Sequence, residues 1–250
     1  MQTIVELAAA VGTRVHTFPS REAWEQGRKA FAGVSASDVP TLLPEYCYKL
    51  KSKPTYSPEE LWMEYKGLAK RQLAYHPRCG RAGNWFQERN IAFFANETGM
   101  TCTNVDDTVA WHPQHPWLLM SPDGVGYGPG HEEATPGDVW ANGVRPPVGP
   151  CLLEAKNVGD TKWSPKEDNT MTKYTPERPP NAVVAQVQAQ LMVLPLPCAV
   201  VVAKIGAWRI RGYVIYPDPV LQAMIASTGL AFCAQLRQAE WNPKWYEAAL

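Results

Sequence analysis

The chain of 250 residues has no closely spaced cysteines, no excess of either charge and no internal repeat. Scattered cysteines exclude the paired ligands of a structural zinc or iron–sulfur centre, and those in apolar runs indicate buried thiols of a reducing compartment. The 24 basic and 24 acidic residues cancel, so the molecule as a whole offers no strong field towards nucleic acid. A local basic channel is compatible with that balance. The cysteines are Cys47, Cys79, Cys102, Cys151, Cys198 and Cys233.

Signals for export or membrane insertion are also lacking. The opening "MQTIVELAAAVGTR" has neither the basic start nor the longer apolar segment of a signal peptide. The most apolar stretch, "LMVLPLPCAVVVA", is too short and too interrupted by proline to cross a bilayer. We therefore expect a cytoplasmic protein with no membrane partner.

The order of the apolar patterns predicts an α/β fold, in which a mixed central β-sheet is flanked by helices in a single domain over 1–250. "CLLEAKNV", "CAVVVAKIG" and "WRIRGYVIYP" are predicted strands, the last two paired as a hairpin. "SPEELWMEYKGLAKRQL", "WFQERNIAFFANETG" and "NAVVAQVQAQLMVL" are predicted helices. We expect 1–19 to be an N-terminal extension and the Gly- and Pro-rich 126–150 to be an insertion loop.

Charged side chains interrupt two otherwise apolar stretches, "SPDGVGY" and "CLLEAKN". Alternation along the second stretch places Glu154 and Lys156 on one face of a strand, where burial costs several kcal/mol unless the charges are paired or bind a ligand. A structural ion pair is one interpretation, and a plain turn aspartate is the corresponding one for Asp123. Together, Asp123 and Glu154 offer two oxygen ligands for Mg²⁺ or Mn²⁺, and Lys156 can orient an attacking water. This is the nuclease pattern written PD-(D/E)-x-K.

Two predicted helices add candidates to this site. Glu88 shares a helix face with Trp85, Ala92 and Ala95, so its carboxylate either reaches solvent along the helix or points at a site. Gln186 and Gln190 lie four residues apart on one stripe, where they either bind the attacking water or a DNA phosphate, or form a solvated face.

Five blocks read in order resemble the YqaJ-like viral recombinase family, which includes the phage lambda-type alkaline exonucleases. They are "GVSASDVPTLL", "WFQERNIAFFANETG", "LLMSPDGV", "LLEAKN" and "AVVAQVQAQLMV", within a family-like core over 20–217. The resemblance implies a restriction-endonuclease-like core in the cytoplasm of a bacterial host. It also implies a 5′-to-3′ exonuclease on linear double-stranded DNA, which leaves 3′ single strands for a single-strand annealing protein in recombination. Family members are often homotrimer rings around DNA.

The resemblance also implies roles for individual residues, with two Mg²⁺ or Mn²⁺ ions as cofactors. Asp123, Glu154 and Glu88 would be metal ligands, joined by the backbone carbonyl of Ala155, with Lys156 as the water-activating lysine. Gln186 would be the glutamine of the "AQVQ" block. Three further residues resemble the family's pocket for the 5′-phosphate, since an Arg fork and a hydroxyl near a helix start suit that ligand. They are Arg28, Ser35 and Ser37.

Basic residues around the predicted site are candidates for a phosphate track, although each of them could equally be solvated surface. Trp163 could wedge against a terminal base pair or simply pack in its loop. Other readings of the same chain are a different PD-(D/E)XK nuclease, structure-specific or of the CRISPR-adaptation type, and a DNA-binding or assembly protein that has lost catalysis. The basic candidates are Arg71, Arg78, Arg81, Lys162, Lys166, Lys173 and Arg178.

Overall fold

A computed structural model of the chain describes residues 2–27, 33–48, 56–69, 77–105, 107–128, 139–165, 172–207 and 209–246. Of residues 25, 77–85 and 142 it describes the backbone alone. The helices of these segments are α1 Ile4–Ala10, α2 Arg21–Gly27, α3 Val39–Leu42, α4 Pro44–Cys47, α5 Pro58–Tyr65, α6 Pro77–Thr98, α7 Asn181–Val193 and α8 Pro219–Leu236. The strands are β1 Arg14–Thr17, β2 Val34–Ser35, β3 Thr101–Asn104, β4 Thr108–Trp111, β5 Leu118–Met120, β6 Gly124–Gly128, β7 Gly149–Val158, β8 Ala199–Ile205 and β9 Arg209–Ile215.

The strands form two sheets. A central sheet has the order β3-β6-β7-β8-β9, in which β7 and β8 run parallel and the other neighbours are antiparallel. A smaller sheet has the order β1-β4-β5-β2. The predicted α/β class with a mixed central sheet and helical flanks is therefore confirmed, as is the β8–β9 hairpin, whereas the second sheet was not anticipated.

Strand β7 divides its residues between two helical layers as alternation predicts. Leu153 packs on the face that α6 covers, in a cluster with Phe94 and Val202. Leu152 packs on the other face, in the larger core to which α7 and α8 contribute. Glu154 lies on this second face with Leu152, so the carboxylate points towards α7.

Strand β6 was not predicted, because glycines at three alternating positions leave Val125 and Tyr127 as its only strand-forming side chains. They are required by close approach: a Cβ at Gly124 would lie 2.7 Å from the Thr103 carbonyl oxygen. At Gly126 a Cβ would lie 2.9 Å from Met100 Cε, and at Gly128 it would lie 2.4 Å from the carbonyl oxygen of Pro147. The start of the predicted insertion loop is thus a strand that pairs with both β3 and β7.

The rest of the predicted insertion is also tied to the central sheet where it is described. Trp140 is buried and forms an edge-to-face contact with Phe94, at 5.1 Å between ring centroids. The Gly212 amide of β9 donates to the Val139 carbonyl at 2.7 Å. A side chain at 212 would collide with both rings, since a Cβ there would lie 2.6 Å from Phe94.

The N-terminal residues predicted to be an extension form α1 and β1. Helix α1 begins with a capping box between Thr3 and Glu6, and Leu7 and Ala8 pack in the main core. Strand β1 pairs with β4 from Arg14↔Trp111 onwards. These residues are therefore part of the folded unit and hold the edge of the smaller sheet.

Helix α8 is long and apolar enough to cross a membrane by length and composition, a property that core helices of folded proteins share. Here its residues Leu221, Ile225 and Phe232 are buried in the main core. Helix α8 packs against α3, α5 and α7.

Candidate active site

Asp123 lies in the short connection between β5 and β6 and is tied to the next strand. Its Oδ2 accepts a 2.7 Å hydrogen bond from the Ala155 amide of β7. Its carbonyl oxygen accepts the Val105 amide at 3.0 Å. These bonds place the Asp123 carboxylate beside β7 at the level of Glu154.

Glu154 is only 3 % exposed, and both of its carboxylate oxygens are hydrogen-bonded. Gln186 Nε2 donates to Oε1 and Gln190 Nε2 donates to Oε2, each at 2.6 Å. The Lys156 ammonium lies 2.5 Å from Oε1 and also donates to Gln186 Oε1 at 3.1 Å. A buried carboxylate with this set of donors is fixed in orientation.

The two glutamines come from successive turns of α7 on the side that faces β7. Their spacing of four residues puts both amides above one carboxylate. The interpretation of this stripe as a solvated face is therefore wrong. Gln190 is 2 % exposed and bonded to Glu154, so the structure places it against the buried carboxylate rather than on a surface where DNA would run.

These side chains meet at a cleft of about 170 Å³. Its walls bring the two sheets together, since they combine the acidic pair and the α7 glutamines with residues of the smaller sheet and of the loop after β2. The lining residues are Arg21, Trp24, Ser35, Ala36, Ser37, Gln87, Val105, Asp107, Thr108, Ser121, Pro122, Asp123, Glu154, Gln186 and Gln190.

Glu88 does not belong to this cleft. Its side chain is exposed, and the residue that α6 contributes is Gln87, whose Nε2 lies 3.5 Å from the Asp123 carbonyl oxygen. Each residue turns a helix by about 100°, so an error of one position moves a side chain to a different face. The prediction that Glu88 joins Asp123 and Glu154 is therefore corrected, because the helix geometry places Gln87 at the cleft instead.

Ser35 and Ser37 lie in the cleft as the phosphate-pocket prediction requires, with their hydroxyl oxygens 2.9 Å apart. Arg28, the predicted cationic partner, lies outside the described residues. The structure instead shows Arg21 in the cleft wall. Its guanidinium stacks 3.8 Å from the Trp24 ring centroid and lies 4.0 Å from Asp107 Oδ1.

Arg21 and Asp107 were missed by the sequence reasoning. Arg21 stands in the first turn of α2, where a basic residue is unfavourable for the helix dipole, and this was an available signal. Asp107 adopts a positive φ of 52°, which carries no mark in the sequence. Non-glycine residues in that region of backbone space cluster at functional sites.

The proposed phosphate track is only partly described. Lys162 and Lys173 are exposed, and Arg178 is half-buried. Trp163 is half-buried, and the Arg209 guanidinium lies 4.6 Å from its ring centroid. The Trp163 ring therefore already makes a cation–π contact within the protein. Arg71 and Lys166 lie outside the described residues, and of Arg78 and Arg81 the backbone alone is described.

The negative charge of Glu154 affects the pKa of the neighbouring Tyr174 phenol. Burial, with the negative charge of Glu154 as a second cause, raises the pKa of Tyr174 far above its usual range. Tyr174 is 6 % exposed and packs in the main core. Glu154 is therefore bordered on this side by buried protein, where electrostatic interactions are stronger than in water.

The donor set of the cleft fits a hard divalent cation. Asp123 and Glu154 supply carboxylate oxygens, which Mg²⁺ and Mn²⁺ prefer over nitrogen and sulfur. Among the described residues, no three His, Cys, Asp or Glu side chains converge on one point. Two carboxylates, with main-chain oxygen and water to complete the shell, are thus what this cleft can offer; Ala155 as the main-chain ligand stays a prediction.

A mixed sheet with Pro122-Asp123 before one strand and Glu154-x-Lys156 on the next defines the class: the fold is restriction-endonuclease-like. The chain belongs to the family described as the YqaJ-like viral recombinase domain, whose model matches residues 23–195. It is similar in fold to two solved structures, one of an alkaline exonuclease (LHK-Exo) from Laribacter hongkongensis and one of LHK-Exo in complex with dAMP. Each is 20% identical and gives a TM-score of 0.54 over 86% of this chain and 92% of that chain. Among curated protein sequences, none matches significantly.

Proposed function

We propose that the protein is a metal-dependent deoxyribonuclease that digests linear double-stranded DNA from the 5′ end. The observation that carries the proposal is that Asp123 and Glu154 line one cleft and that the Lys156 ammonium is paired with Glu154, with Gln186 bridging the last two. Buried charges in this arrangement cost stability, and a catalytic role accounts for them. Family membership and the fold of the alkaline exonuclease are consistent with it.

In this proposal each side chain has a distinct task. Asp123 and Glu154 hold the cation, and their hydrogen bonds to Ala155, Gln186 and Gln190 keep the carboxylates in place. Bound Mg²⁺ or Mn²⁺, two ions in our proposal, supplies charge stabilisation at the scissile phosphate and lowers the pKa of a water. Lys156 is 29% exposed, so its ammonium can reach both the Glu154 carboxylate and a water in the cleft.

A 5′-phosphate would occupy the opposite wall. Ser35 and Ser37 present two hydroxyl groups there, and Arg21 adds a guanidinium, the side chain best suited to bind phosphate oxygens. Arg28 remains a further candidate for this role. Since the two walls share one cleft, a strand held by its terminal phosphate would lie with a nearby phosphodiester at the acidic pair.

The wider setting is proposed from the family alone. The 3′ single strand left by digestion would pass to a single-strand annealing protein during phage-type recombination in the bacterial cytoplasm. A homotrimer ring around the duplex would keep the enzyme on its substrate.

The test is digestion of a linear duplex labelled at either its 5′ or its 3′ ends, with Mg²⁺ or with EDTA. We expect Mg²⁺-dependent release of 5′-labelled nucleotide, abolished in Lys156→Met. Parallel reactions with 5′-phosphate and 5′-hydroxyl ends, and with Ser35→Ala/Ser37→Ala, test whether the two serines bind the terminal phosphate. Cleavage of a nicked circle or of branched DNA with linear ends intact would favour a structure-specific nuclease. No cleavage with any metal would leave a DNA-binding or assembly protein.

A further inference from the structure

The Glu154 carboxylate has a limited number of acceptor positions, and most of them are used. An ionised carboxylate offers about four lone-pair positions, two on each oxygen. Oε1 takes Gln186 and Lys156, while Oε2 takes Gln190. Within the described part of the chain, these are the hydrogen-bond and ion-pair partners of Glu154. One position, on Oε2, remains to be offered to a cation.

A glutamine at position 190 is not what the stability of the folded protein alone would favour. It is 2 % exposed, and its Oε1 is buried with no hydrogen-bond partner among the described residues. A buried amide oxygen without a partner costs about 1–3 kcal/mol, which an apolar side chain of the same size would not incur. The Gln190 amide therefore serves to hold Glu154 Oε2, to which it donates a short, charge-assisted hydrogen bond of 2.6 Å.

We propose that Gln190 is a positioning residue that sets cation selectivity by restricting Glu154 to a single-oxygen contact. This inference rests on the proposed metal-dependent function. Mg²⁺ and Mn²⁺ accept single carboxylate oxygens in a strict octahedral arrangement, whereas Ca²⁺ takes six to eight ligands and readily uses both oxygens of a carboxylate. With Gln190 on Oε2 and two donors on Oε1, Glu154 cannot rotate to present both oxygens. The clamp therefore disfavours Ca²⁺ relative to Mn²⁺.

Gln188 provides a matched control on the same helix. It is 1 % exposed, and its amide bonds Tyr216, Asp218 and Gln222 on the side of α7 away from Glu154. Gln188→Met and Gln190→Met make the same chemical change two residues apart. The second alone removes a donor from the carboxylate.

The experiment is calorimetric titration of the DNA-free protein with Mn²⁺ and with Ca²⁺, so that the result does not depend on turnover. We expect wild type and Gln188→Met to bind Mn²⁺ more tightly than Ca²⁺. In Gln190→Met we expect Mn²⁺ affinity to fall about 10-fold to 100-fold, the usual effect of removing a partner of a metal ligand, with Ca²⁺ affinity equal or higher. Gln190→Asn, whose amide is one methylene too short to reach Oε2, should behave like Gln190→Met and serves if that variant does not fold.

The outcomes separate the two proposals. If wild type binds neither ion, the metal-dependent function fails. If wild type binds Mn²⁺ and Ca²⁺ equally, or if the Gln190 variants keep the wild-type ratio, the selectivity role is overturned while the nuclease proposal stands. A loss of the ratio in Gln188→Met as well would also overturn it, since the effect would then belong to the helix and not to the clamp.

Discussion

Replacing Asp123 by Asn and by Ala separates its proposed catalytic role from its structural one. In Asp123→Asn the side-chain oxygen can still accept the Ala155 amide, although the bond loses its charge. In Asp123→Ala that amide loses its partner. A hydrogen bond to a charged group contributes about 1.5–3 kcal/mol and a neutral one about 0.5–1.5 kcal/mol. We therefore expect a loss of about 2 kcal/mol for Ala and about 1 kcal/mol for Asn.

Both variants remove the carboxylate, so both should lose about 10²-fold to 10³-fold in rate whatever their stability. A chain of this size changes its Tm by about 2–4 °C per kcal/mol, which predicts a fall of about 4–8 °C for Ala and half of that for Asn. Urea denaturation and digestion of end-labelled linear duplex at saturating Mg²⁺ measure the two effects. An Asn variant within about tenfold of wild-type activity would refute the role of Asp123 as a ligand. An Ala variant as stable as the Asn variant would refute the structural bond.

Three further predictions concern other parts of the molecule. Lys156→Met should abolish digestion, and Lys156→Arg should not restore it, because a planar guanidinium cannot take the position of the ammonium 2.5 Å from Glu154 and 3.1 Å from Gln186; recovery with Arg would contradict this. Glu88→Gln should keep activity within about twofold, because the side chain is exposed outside the cleft, and a large loss would restore Glu88 as a ligand. Stability should fall above about pH 9, since burial raises the pKa of Cys47 from 9.0 to about 12 and the folded thiol keeps a proton that the unfolded chain loses. The slope is about 1.4 kcal/mol per pH unit for such a group, and urea titrations at pH 8 to 10 with Cys47→Ala as comparison would show it.

Much of the site could be predicted because its pattern depends on strand alternation and on helix spacing. Glu154 and Lys156 must share a face of any strand that contains them, and Gln186 and Gln190 must share a face of any helix. The structure brings all four together. Glu88 was misplaced because a carboxylate was given priority over helix phase, and the neighbouring Gln87 is the residue that lines the cleft.

The parts of the fold that could not be predicted depend on long-range contacts. Strand β6 has glycines where a strand usually has branched side chains, and they are explained only by the approach of Thr103 and Met100. Strand β1 pairs with β4 across about a hundred intervening residues, from Arg14↔Trp111 onwards.

The glycines of β6 also give the two carboxylates unequal mechanical support. Glu154 projects from the middle of a ten-residue strand that pairs with β6 and β8, and its side chain accepts hydrogen bonds from two glutamines of α7. Asp123 stands at the entrance of a strand whose positions 124, 126 and 128 have no side chains to anchor it. The backbone of that strand is held instead by its ladders with β3 and β7, at a separation that only glycine permits. The acidic pair thus has one member fixed by side-chain contacts from a helix and one fixed through the backbone of a close-packed sheet.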